Sequence, residues 1–573
     1  SSGELPSVQT MIQFIAPLFA IFIINSSPCK AQFPRVCAEN VTAKTGVCCP
    51  SWGPGLVCGG PKRGMCLPLP DVHEIYSPAR PDHMNDDRLN WPKAFFQKVC
   101  RCFGSRSGYA CHECKFGYFG DDCTERRIQK RRNIMSLTRK EQQRFIGLVL
   151  KSKTSITDYV ALKADWHDPV EGNVTFVNLT LHDFFVYIHY YSARHTYLRN
   201  KTHHCDNSRG HFDFSHEGSG FPTFHRLLIL LWEREFQKLA EDDTFTFPYW
   251  DWVENGHHCE VCTNDLLGAV NLSDPNGHID RRSPFSKWYT MCQTKRYNGS
   301  DCRFCNADDR FHGIVRRPVK DYRFPSLKEV DLILSKPNYD HRPYNEEAGE
   351  DTFRNCFEGG CPMPGQTYSI HNLVHAWFNG TLSGVTTSTN DPLFIVHHTM
   401  IDKLFERWMR MHKNHMTQMP EFGGPLGHHR DSVIVPMFPR FFHHMFFTDS
   451  RTLGYDYDNF DYGKHHRRDP EGYLEEEDLT SNTIVYFVTC LSFFVCLFLV
   501  MALYRENLKS TVSATYRILI NRNGANNNGT LPNGNGSVKP YTDIPVKEYH
   551  DNAILQSTSD DNFSDSEDKP FIG

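Results

Sequence analysis

The spacing of apolar residues predicts that most of this chain is helical. From about Thr138 onward, apolar positions recur every three to four residues, which is the period of a helix with one buried face. The pattern is strongest in four segments: 178–198, 224–239, 369–378 and 392–412. Each of them contains histidine. Four helices that point imidazoles inward would build a metal site in the core of a helix bundle.

Two further apolar runs predict segments outside the globular part. Residues 14–24 form a short hydrophobic stretch followed by small residues near Ala31, which is typical of a secretory signal peptide spanning 11–31. Residues 484–504 form an uncharged run of 21 residues, enough for a helix to cross a bilayer roughly 30 Å thick. Acidic residues precede this run and basic residues follow it, so the positive-inside rule predicts a type I single-pass protein.

The segments that flank the predicted transmembrane helix are polar. Residues 457–483 are acidic and suit a lumenal stalk. The predicted cytoplasmic tail, 505–573, contains an Asn/Gly-rich stretch and is expected to be largely disordered. Within it, residues 541–544 (YTDI) fit a tyrosine-based sorting pattern. Sorting adaptors are therefore expected partners of the tail.

Cysteine usage predicts an oxidising compartment. Ten cysteines lie between Cys37 and Cys123, an even number in a segment poor in periodic apolar pattern, so 32–123 is expected to be held together by disulfides. The end of this segment resembles an EGF-like module. Cys111 and Cys114 could instead form half of a zinc site. Further along, the expected pairs are Cys259 with Cys262, Cys292 with Cys305, and Cys356 with Cys361.

The overall composition excludes some classes of function. The chain has 573 residues, 39% of them hydrophobic, a net charge of -5 and no concentrated basic stripe, so nucleic acid is not an expected partner. Seven acceptor sequons for N-linked glycans precede the predicted transmembrane helix. They are Asn40, Asn173, Asn178, Asn200, Asn271, Asn298 and Asn379. A glycoprotein is therefore expected.

Six of the 30 histidines fall into two groups of three and predict two metal ions. The first group is His189, His216 and His225, and the second is His371, His375 and His398. His371 and His375 are four positions apart, so they share one face of a helix and can bind one ion. Sites made only of imidazole suit copper, zinc, iron or nickel, and the lack of thiolate or carboxylate favours copper that handles dioxygen.

Some histidines are alternatives to these six, and others are expected to be bystanders. His182 precedes His189 by seven positions on the same helical face, and His397 is adjacent to His398. The remaining doubled histidines lie in polar stretches and are expected in surface loops. They are the pairs at 203–204, 257–258, 428–429, 443–444 and 465–466.

Four motifs resemble the tyrosinase family of type 3 copper proteins. HxxxxxxxxHR occurs at 216–226, PYWDW at 248–252, HNxxH at 371–375 and NDPxFxxHH at 390–398. The resemblance implies a mainly α, loop-rich catalytic domain at 124–456 with two copper ions in a four-helix bundle and dioxygen as co-substrate. It places the ligands at His189 rather than His182, and at His398 rather than His397. The implied substrates are phenols and catechols such as L-tyrosine and L-DOPA, in melanin synthesis.

The resemblance also implies a base for the substrate proton. Glu358 and Asn372 match the Glu and Asn that, in this family, hold a water near the second copper ion. The alternative is that Glu358 is a surface carboxylate in a glycine-containing loop. Family members often have an aromatic residue two positions after this Glu, where this chain has Gly360. The shape of the substrate entrance is left open by that difference.

Two features separate the oxidases from tyrosinase-related proteins. PYWDW and the doubled His397-His398 are similar to the oxidases, whereas the relatives usually have PYWNF and Leu-His. Residues 214–218 (FSHEG) are closer to the relatives. We therefore expect a monophenol monooxygenase and catechol oxidase in the melanosome or a related organelle. The alternative is a dopachrome tautomerase or 5,6-dihydroxyindole-2-carboxylic acid oxidase with zinc or copper. An oxygen carrier and a non-catalytic scaffold are further alternatives.

Overall fold

The structure is a computed structural model, and its described residues all belong to one compact unit. It describes residues 33–460 except 39–41, 43–44, 54, 71–86, 94, 163–175, 195, 198–204, 207–211, 294–309 and 413–414. The predicted signal peptide, transmembrane helix and tail lie outside the described residues, as does the stalk from residue 461 onward. Among the helices that are described, none combines the length and the apolar character needed to cross a membrane.

The catalytic part is mainly helical, as predicted. The described α-helices, in chain order, are α1 Arg139–Ser152, α2 Leu181–Ala193, α3 Phe221–Ala240, α4 Leu327–Leu334, α5 Phe353–Glu358, α6 Ile370–Phe378 and α7 Leu393–Met411. Helices α2, α3, α6 and α7 correspond to the four strongest predicted segments. Long connections between them contain short 3-10 turns and isolated bridges, so the domain is also rich in loops.

Strands are short and lie mostly at the edges of the helical core. They are β1 Phe33–Pro34, β2 Val47–Cys48, β3 Gly64–Pro68, β4 Lys98–Cys102, β5 Arg106–Ser107, β6 Glu113–Cys114, β7 Tyr118–Phe119, β8 Glu125–Arg126, β9 Gln129–Arg131, β10 Ile156–Leu162, β11 Phe176–Thr180, β12 Thr196–Tyr197, β13 Cys205–Asp206, β14 Tyr289–Met291, β15 Arg310–His312 and β16 Tyr455–Tyr457. Two sheets have three strands, in the orders β1-β10-β11 and β2-β4-β3. The other described strands pair in twos.

Helix starts follow local capping chemistry. Helix α1 begins with a capping box in which Thr138 and Glu141 satisfy each other's backbone N–H groups. Helix α2 begins after Thr180, whose hydroxyl accepts from the backbone N–H of Asp183. The prediction that this helix spans 178–198 was wrong at both ends, because Phe176–Thr180 pairs with β10, and Thr196–Tyr197, after the helix ends at Ala193, pairs with β13. A strand partner distant in sequence thus shortened the helix at its N-terminus.

Disulfides hold the cysteine-rich segment together, as expected from its poor apolar pattern. The pairs are Cys37–Cys48, Cys49–Cys66, Cys58–Cys100, Cys102–Cys111 and Cys114–Cys123. Cys111 and Cys114 therefore do not form half of a zinc site. The predicted pairs Cys259–Cys262 and Cys356–Cys361 are confirmed. The partner proposed for Cys292 lies outside the described residues.

A buried network of charges joins α3 to α7. Arg226 of α3 donates from Nε to Asp402 at 2.6 Å and from Nη2 to Glu406 at 3.0 Å, both on α7. Arg131 links Asp402 to Glu233 of α3, at 3.1 and 3.0 Å. The five side chains are buried, so each charge depends on its partners. Because His225 precedes Arg226 and Asp402 lies one turn after His398, this network fixes two helices that each carry one predicted ligand, one from each histidine group.

Candidate metal centre

The first three histidines converge from three elements. His189 lies in the middle of α2, His225 in the first turn of α3, and His216 in the turn that precedes α3. One ring nitrogen from each falls within 4.8 Å of the others, and all three side chains are buried. The structure therefore brings together the first predicted group, which we call the first triad.

Hydrogen bonds to Nδ1 orient the rings of the first triad. The Nδ1–H of His225 donates to the Phe221 carbonyl oxygen at 2.9 Å, and that of His216 donates to Asp213 Oδ2 at 2.9 Å. His189 Nδ1 lies 3.5 Å from the Thr386 carbonyl oxygen. With a proton on each Nδ1, every Nε2 presents a lone pair. A carboxylate or carbonyl behind a histidine is the usual support of a metal ligand.

The second group converges from two helices. His371 and His375 are one turn apart on α6, and His398 lies on α7. Their ring nitrogens lie within 4.8 Å of one another, together with one from His397. His375 Nδ1 donates to the Leu382 carbonyl oxygen at 2.6 Å, and His371 Nδ1 contacts Glu358 O at 3.1 Å and Asn372 Oδ1 at 2.8 Å. We call His371, His375 and His398 the second triad. It abuts the first, since the rings of His225 and His398 are 4.5 Å apart.

Both triads fit a metal ion. The Nε2 atoms of His189 and His225 are 3.4 Å apart, and those of His375 and His398 are 3.2 Å apart. Two nitrogens bound at about 2.0 Å to one tetrahedral ion lie roughly 3.3 Å from each other. His371 Nε2 is buried without a hydrogen-bond partner among the described residues. In the first triad, two lone pairs face each other, and a cation between them would remove their repulsion.

Burial keeps five of the six rings neutral. It lowers the pKa of His189, His225, His371 and His398 well below the ordinary value, and that of His375 to about 4. Burial also opposes the charged form of His216, but the Asp213 carboxylate outweighs it and raises the pKa of His216. Neutral imidazole is the form that binds metal ions.

The two alternative histidines are placed differently. His182 packs between Trp232 and Trp288, with ring centroids 5.3 and 4.7 Å away, and does not join the first triad. His397 lies beside the second triad, but its Nδ1 accepts a hydrogen bond from Trp252 Nε1 at 3.1 Å. This bond uses the Nδ1 lone pair and puts the proton on Nε2, so His397 has no free lone pair for a metal ion.

Glu358 is not a surface carboxylate. It ends α5, is 5% exposed, and accepts from the Glu217 backbone N–H at 2.5 Å and from Arg354 Nη1 at 3.3 Å. Burial raises the pKa of its carboxyl to about 7, although Arg354 opposes this. Its carbonyl oxygen holds His371, so Glu358 touches the second triad directly.

Glycines bring Asn372 and Glu358 together. Gly359 has a φ of +139°, and a Cβ there would lie 2.3 Å from the Cβ of Asn372, so only glycine allows this approach. A Cβ at Gly360 would lie 2.3 Å from Asn355 Oδ1. The Asn355 amide in turn donates to the carbonyl oxygens of Glu346 and Gly349. The family's aromatic residue at position 360 would therefore displace this loop, which explains the glycine.

The second triad opens onto a cleft of about 740 Å³, which we call the histidine cleft. His216 and the three histidines of the second triad line it, whereas His189 and His225 do not. Its wall also contains Glu217, Glu346, Glu358 and Asn372. Arg354 is the only Arg or Lys among the described residues that line the cleft, and Asp340 and Glu358 already hold it. The opening is therefore acidic.

Three supports of the site were not predicted from the sequence. Asp213 orients His216, and its sequence position, three residues earlier, could have suggested this. The Trp252–His397 contact joins the two features that separate oxidases from their relatives, but no spacing rule connects positions 145 apart. His428, His429 and His443 were expected at the surface and are buried. His428 accepts from the Gly220 N–H and contacts the Asp213 carbonyl oxygen, so it supports the first triad.

The fold and the paired histidine triads define a helical protein with a dinuclear metal centre. A family model described as the common central domain of tyrosinase matches residues 180–411. The tyrosinase of Gallus gallus is 38% identical, over 77% of this chain and 85% of its own length. A 5,6-dihydroxyindole-2-carboxylic acid oxidase of Ambystoma mexicanum is 35% identical, over 77% and 86%. A solved polyphenol oxidase from Thermothelomyces thermophila covers 58% of this chain and 88% of its own, with 15% identity and a TM-score of 0.40.

The chain belongs to the tyrosinase family. It is an oxidoreductase that acts on phenols, and its family domain implies a dinuclear copper centre.

Proposed function

We propose that this protein is a copper-dependent monooxygenase that hydroxylates L-tyrosine to L-DOPA, oxidises L-DOPA to dopaquinone, and so starts melanin synthesis. The observation that carries this proposal is the pair of abutting histidine triads beside a cleft that also contains Glu358. When bound by the six histidines, two copper ions would supply the redox chemistry that activates dioxygen.

Two residues of the cleft, Glu358 and Asn372, are candidates to remove the proton of the phenol. A phenol must lose its hydroxyl proton before its oxygen can bind a metal ion. Glu358 and Asn372 lie on the side of the second triad, each in contact with His371. In the proposed mechanism, a water held between the Glu358 carboxylate and the Asn372 amide takes the phenol proton and passes a proton to the carboxylate, which becomes the neutral acid. Backbone and Arg354 contacts fix the position of the carboxylate.

The charges at the cleft support a substrate with an ammonium group. Glu217 is exposed and has a φ of +58°. Partial burial raises the pKa of its carboxyl, and repulsion from the carboxylates of Asp213 and Glu346 adds to this. An ammonium group between Glu217 and Glu346 would relieve this repulsion. L-Tyrosine carries such a group, whereas 5,6-dihydroxyindole-2-carboxylic acid carries only a carboxylate. Since Arg354 is already paired, the described cleft offers that carboxylate no free guanidinium or ammonium group.

The test is oxygen uptake by the full chain loaded in parallel with copper and with zinc. L-Tyrosine with a trace of L-DOPA should give copper-dependent uptake and quinone. Zinc-dependent conversion of dopachrome without oxygen uptake would instead establish a tautomerase. Faster oxidation of 5,6-dihydroxyindole-2-carboxylic acid than of L-DOPA would instead favour a 5,6-dihydroxyindole-2-carboxylic acid oxidase.

Substrate choice tests the acidic opening. Glu217→Gln should raise the KM for tyramine by about threefold to tenfold. This is the loss expected when one ion pair at an exposed or partly buried position is removed. The KM for 4-hydroxyphenylpropionate, which lacks the ammonium group, should stay the same or fall. Glu347→Gln is the matched control, since Glu347 is exposed and does not line the cleft. Equal changes for both substrates would contradict the role of Glu217.

We also propose that the protein is a type I single-pass glycoprotein of the melanosome, with a lumenal catalytic domain and a tail that binds sorting adaptors. The support comes from the uncharged run 484–504, the basic residues after it, and the pattern at 541–544. Asn178 and Asn379 are exposed in the structure, as glycan acceptors must be. Digestion of intact organelles with protease should leave the catalytic domain protected and remove only the tail.

A further inference from the structure

A second large cleft lies between the cysteine-rich segment and residues 438–446. Its volume is about 960 Å³, and it shares no lining residue with the histidine cleft. We call it the basic cleft, because five cations and no Asp or Glu are among the described residues that line it. The cations are Arg101, Arg106, Lys115, Arg126 and Arg440. This excess of positive charge attracts an anion into the cleft.

Two of these cations have structural partners. Arg106 donates to the carbonyl oxygen of Asp121 and to Asp122 Oδ1. Arg126 donates to the carbonyl oxygens of Arg451 and Thr452. These two side chains therefore hold the cysteine-rich segment in shape, and their presence at the cleft needs no ligand.

The other three cations lack an acidic partner. Within the part of the chain that the structure describes, the side chains of Arg101 and Lys115 make no ion pair. Arg440 is half-buried, and it donates to the Pro70 carbonyl oxygen at 3.4 Å and lies over the Phe442 ring. Burial and the neighbouring Arg101 both lower the pKa of Arg440. Arg101 is exposed and Arg440 is half-buried, so an anion that contacts both would be attracted by two guanidinium groups with no acidic side chain among the described lining residues to compete.

The rest of the cleft is apolar and aromatic. Side chains of the cysteine-rich segment form one wall, and those of the catalytic domain form the other. The aromatic and aliphatic lining includes Leu67, Leu69, Phe116, Phe438, Phe441 and Phe442. Met445 stands at the opening with 42% of its surface exposed. An apolar lining with a few placed charges, and a volume at the upper end of about 300–1,000 Å³, is typical of a small-molecule site.

We propose that the basic cleft binds a long-chain carboxylate, with its head group between Arg101 and Arg440 and its hydrocarbon chain along the phenylalanine wall. Guanidinium groups bind carboxylate through paired, charge-assisted hydrogen bonds. Binding of the hydrocarbon chain against the apolar wall would be favoured in proportion to the apolar surface area that is removed from water. A soluble peptide anion would use the arginines but leave most of the aromatic wall uncovered, so a single-chain amphiphile fits better.

The test is photo-crosslinking of a diazirine-bearing palmitate to the full chain. Labelling should be displaced by excess palmitate, and mass mapping should place the adducts within 67–70 or 438–446. The double variant Arg101→Gln/Arg440→Gln should need about tenfold more probe for equal labelling, the loss expected for a charged hydrogen bond. Lys328→Gln is the matched control, since Lys328 is an exposed cation outside the cleft.

The methyl ester of the same probe tests the role of charge. It should label weakly, and equally in the wild type and the double variant. Both variants lie outside the histidine cleft, so their copper-dependent oxygen uptake should match the wild type and show that they are folded. The proposal is overturned by equal labelling of wild type and double variant, by labelling that palmitate does not displace, or by adducts confined to the histidine cleft.

Discussion

Both histidine triads present imidazole nitrogens to a metal ion, but different groups orient their rings. In the first triad a side chain, Asp213, orients the loop residue His216. In the second, His371 and His375 lie on one helix, and they are oriented by two backbone carbonyl groups and by the amide oxygen of Asn372. A carboxylate adds charge to its histidine, whereas a carbonyl only directs it. The first triad thus contains one ring, His216, that is backed by a charge, whereas only neutral oxygens orient His371 and His375 of the second triad.

The surroundings of the triads differ as well. His189 and His225 are sealed in the helical core, whereas all three members of the second triad line the histidine cleft. Glu358 and Asn372 also lie on that side. We therefore expect substrate to approach from the side of the second triad. This difference predicts that substitutions near the second triad change chemistry, while those near the first change metal retention.

The largest effect is expected for His371→Ala. Removing one of three imidazoles takes a ligand from the second triad, so oxygen uptake with L-tyrosine should fall to background. His444→Ala, an exposed histidine outside both triads, should behave as wild type. Thermal unfolding of the metal-free proteins checks that each variant is folded. Activity near the wild-type level in His371→Ala would remove the second triad as a metal site.

A smaller and selective effect is expected for Glu358→Gln. Without the carboxylate, no base takes the phenol proton, so hydroxylation of L-tyrosine should slow by about a hundredfold. L-DOPA oxidation should slow much less. Steady-state oxygen uptake with each substrate gives the ratio of L-tyrosine hydroxylation to L-DOPA oxidation, with Glu347→Gln as the control. An equal loss on both substrates would contradict a role of Glu358 in proton removal.

Asp213→Asn should act on metal retention at the first triad. The amide keeps a similar shape but loses the negative charge behind His216, so copper affinity should fall by about tenfold to a hundredfold. Copper content after dialysis against a graded chelator measures this. The expected result is selective loss of about one ion per chain, with activity restored by added copper. Loss of both ions together would mean that the triads are not supported separately.

The smallest effect is expected for Trp252→Phe. Phenylalanine keeps an aromatic side chain but is smaller than the indole and has no N–H. The hydrogen bond to His397 Nδ1 is therefore lost, at a cost of about 1 kcal/mol, in addition to the cost of the cavity, which the control below shares. His397 would then be free to rotate beside His371 and His375. Copper affinity and oxygen uptake should fall by about fivefold. Trp250→Phe is the control, because Trp250 is also fully buried but is not bonded to a histidine. If copper affinity and oxygen uptake are unchanged in Trp252→Phe, this tryptophan contributes to the site only through packing.

Short-range sequence patterns anticipated much of the helical framework. The four strongest periodic segments became α2, α3, α6 and α7, since amphipathic periodicity depends on neighbours only three or four positions apart. The same locality made the pairing of Cys259 with Cys262, and of Cys356 with Cys361, predictable. The start of α2 was misplaced because β11 pairs with β10, a contact that helical periodicity does not contain.

By itself, the sequence determined the helices, the short disulfides and the spacing that places His371 and His375 on one face. Helical periodicity did not distinguish His182 from His189, which share a helical face, and the choice of His189 came from the family resemblance. The tertiary structure separates the two, because His182 packs between two tryptophans whereas His189 joins the first triad. It also buried Glu358, whose partner Glu217 is 141 positions away, and joined Trp252 to His397. The physical reason is that periodicity and capping act within a few residues, whereas burial, pKa and ligand orientation depend on contacts between distant parts of the chain.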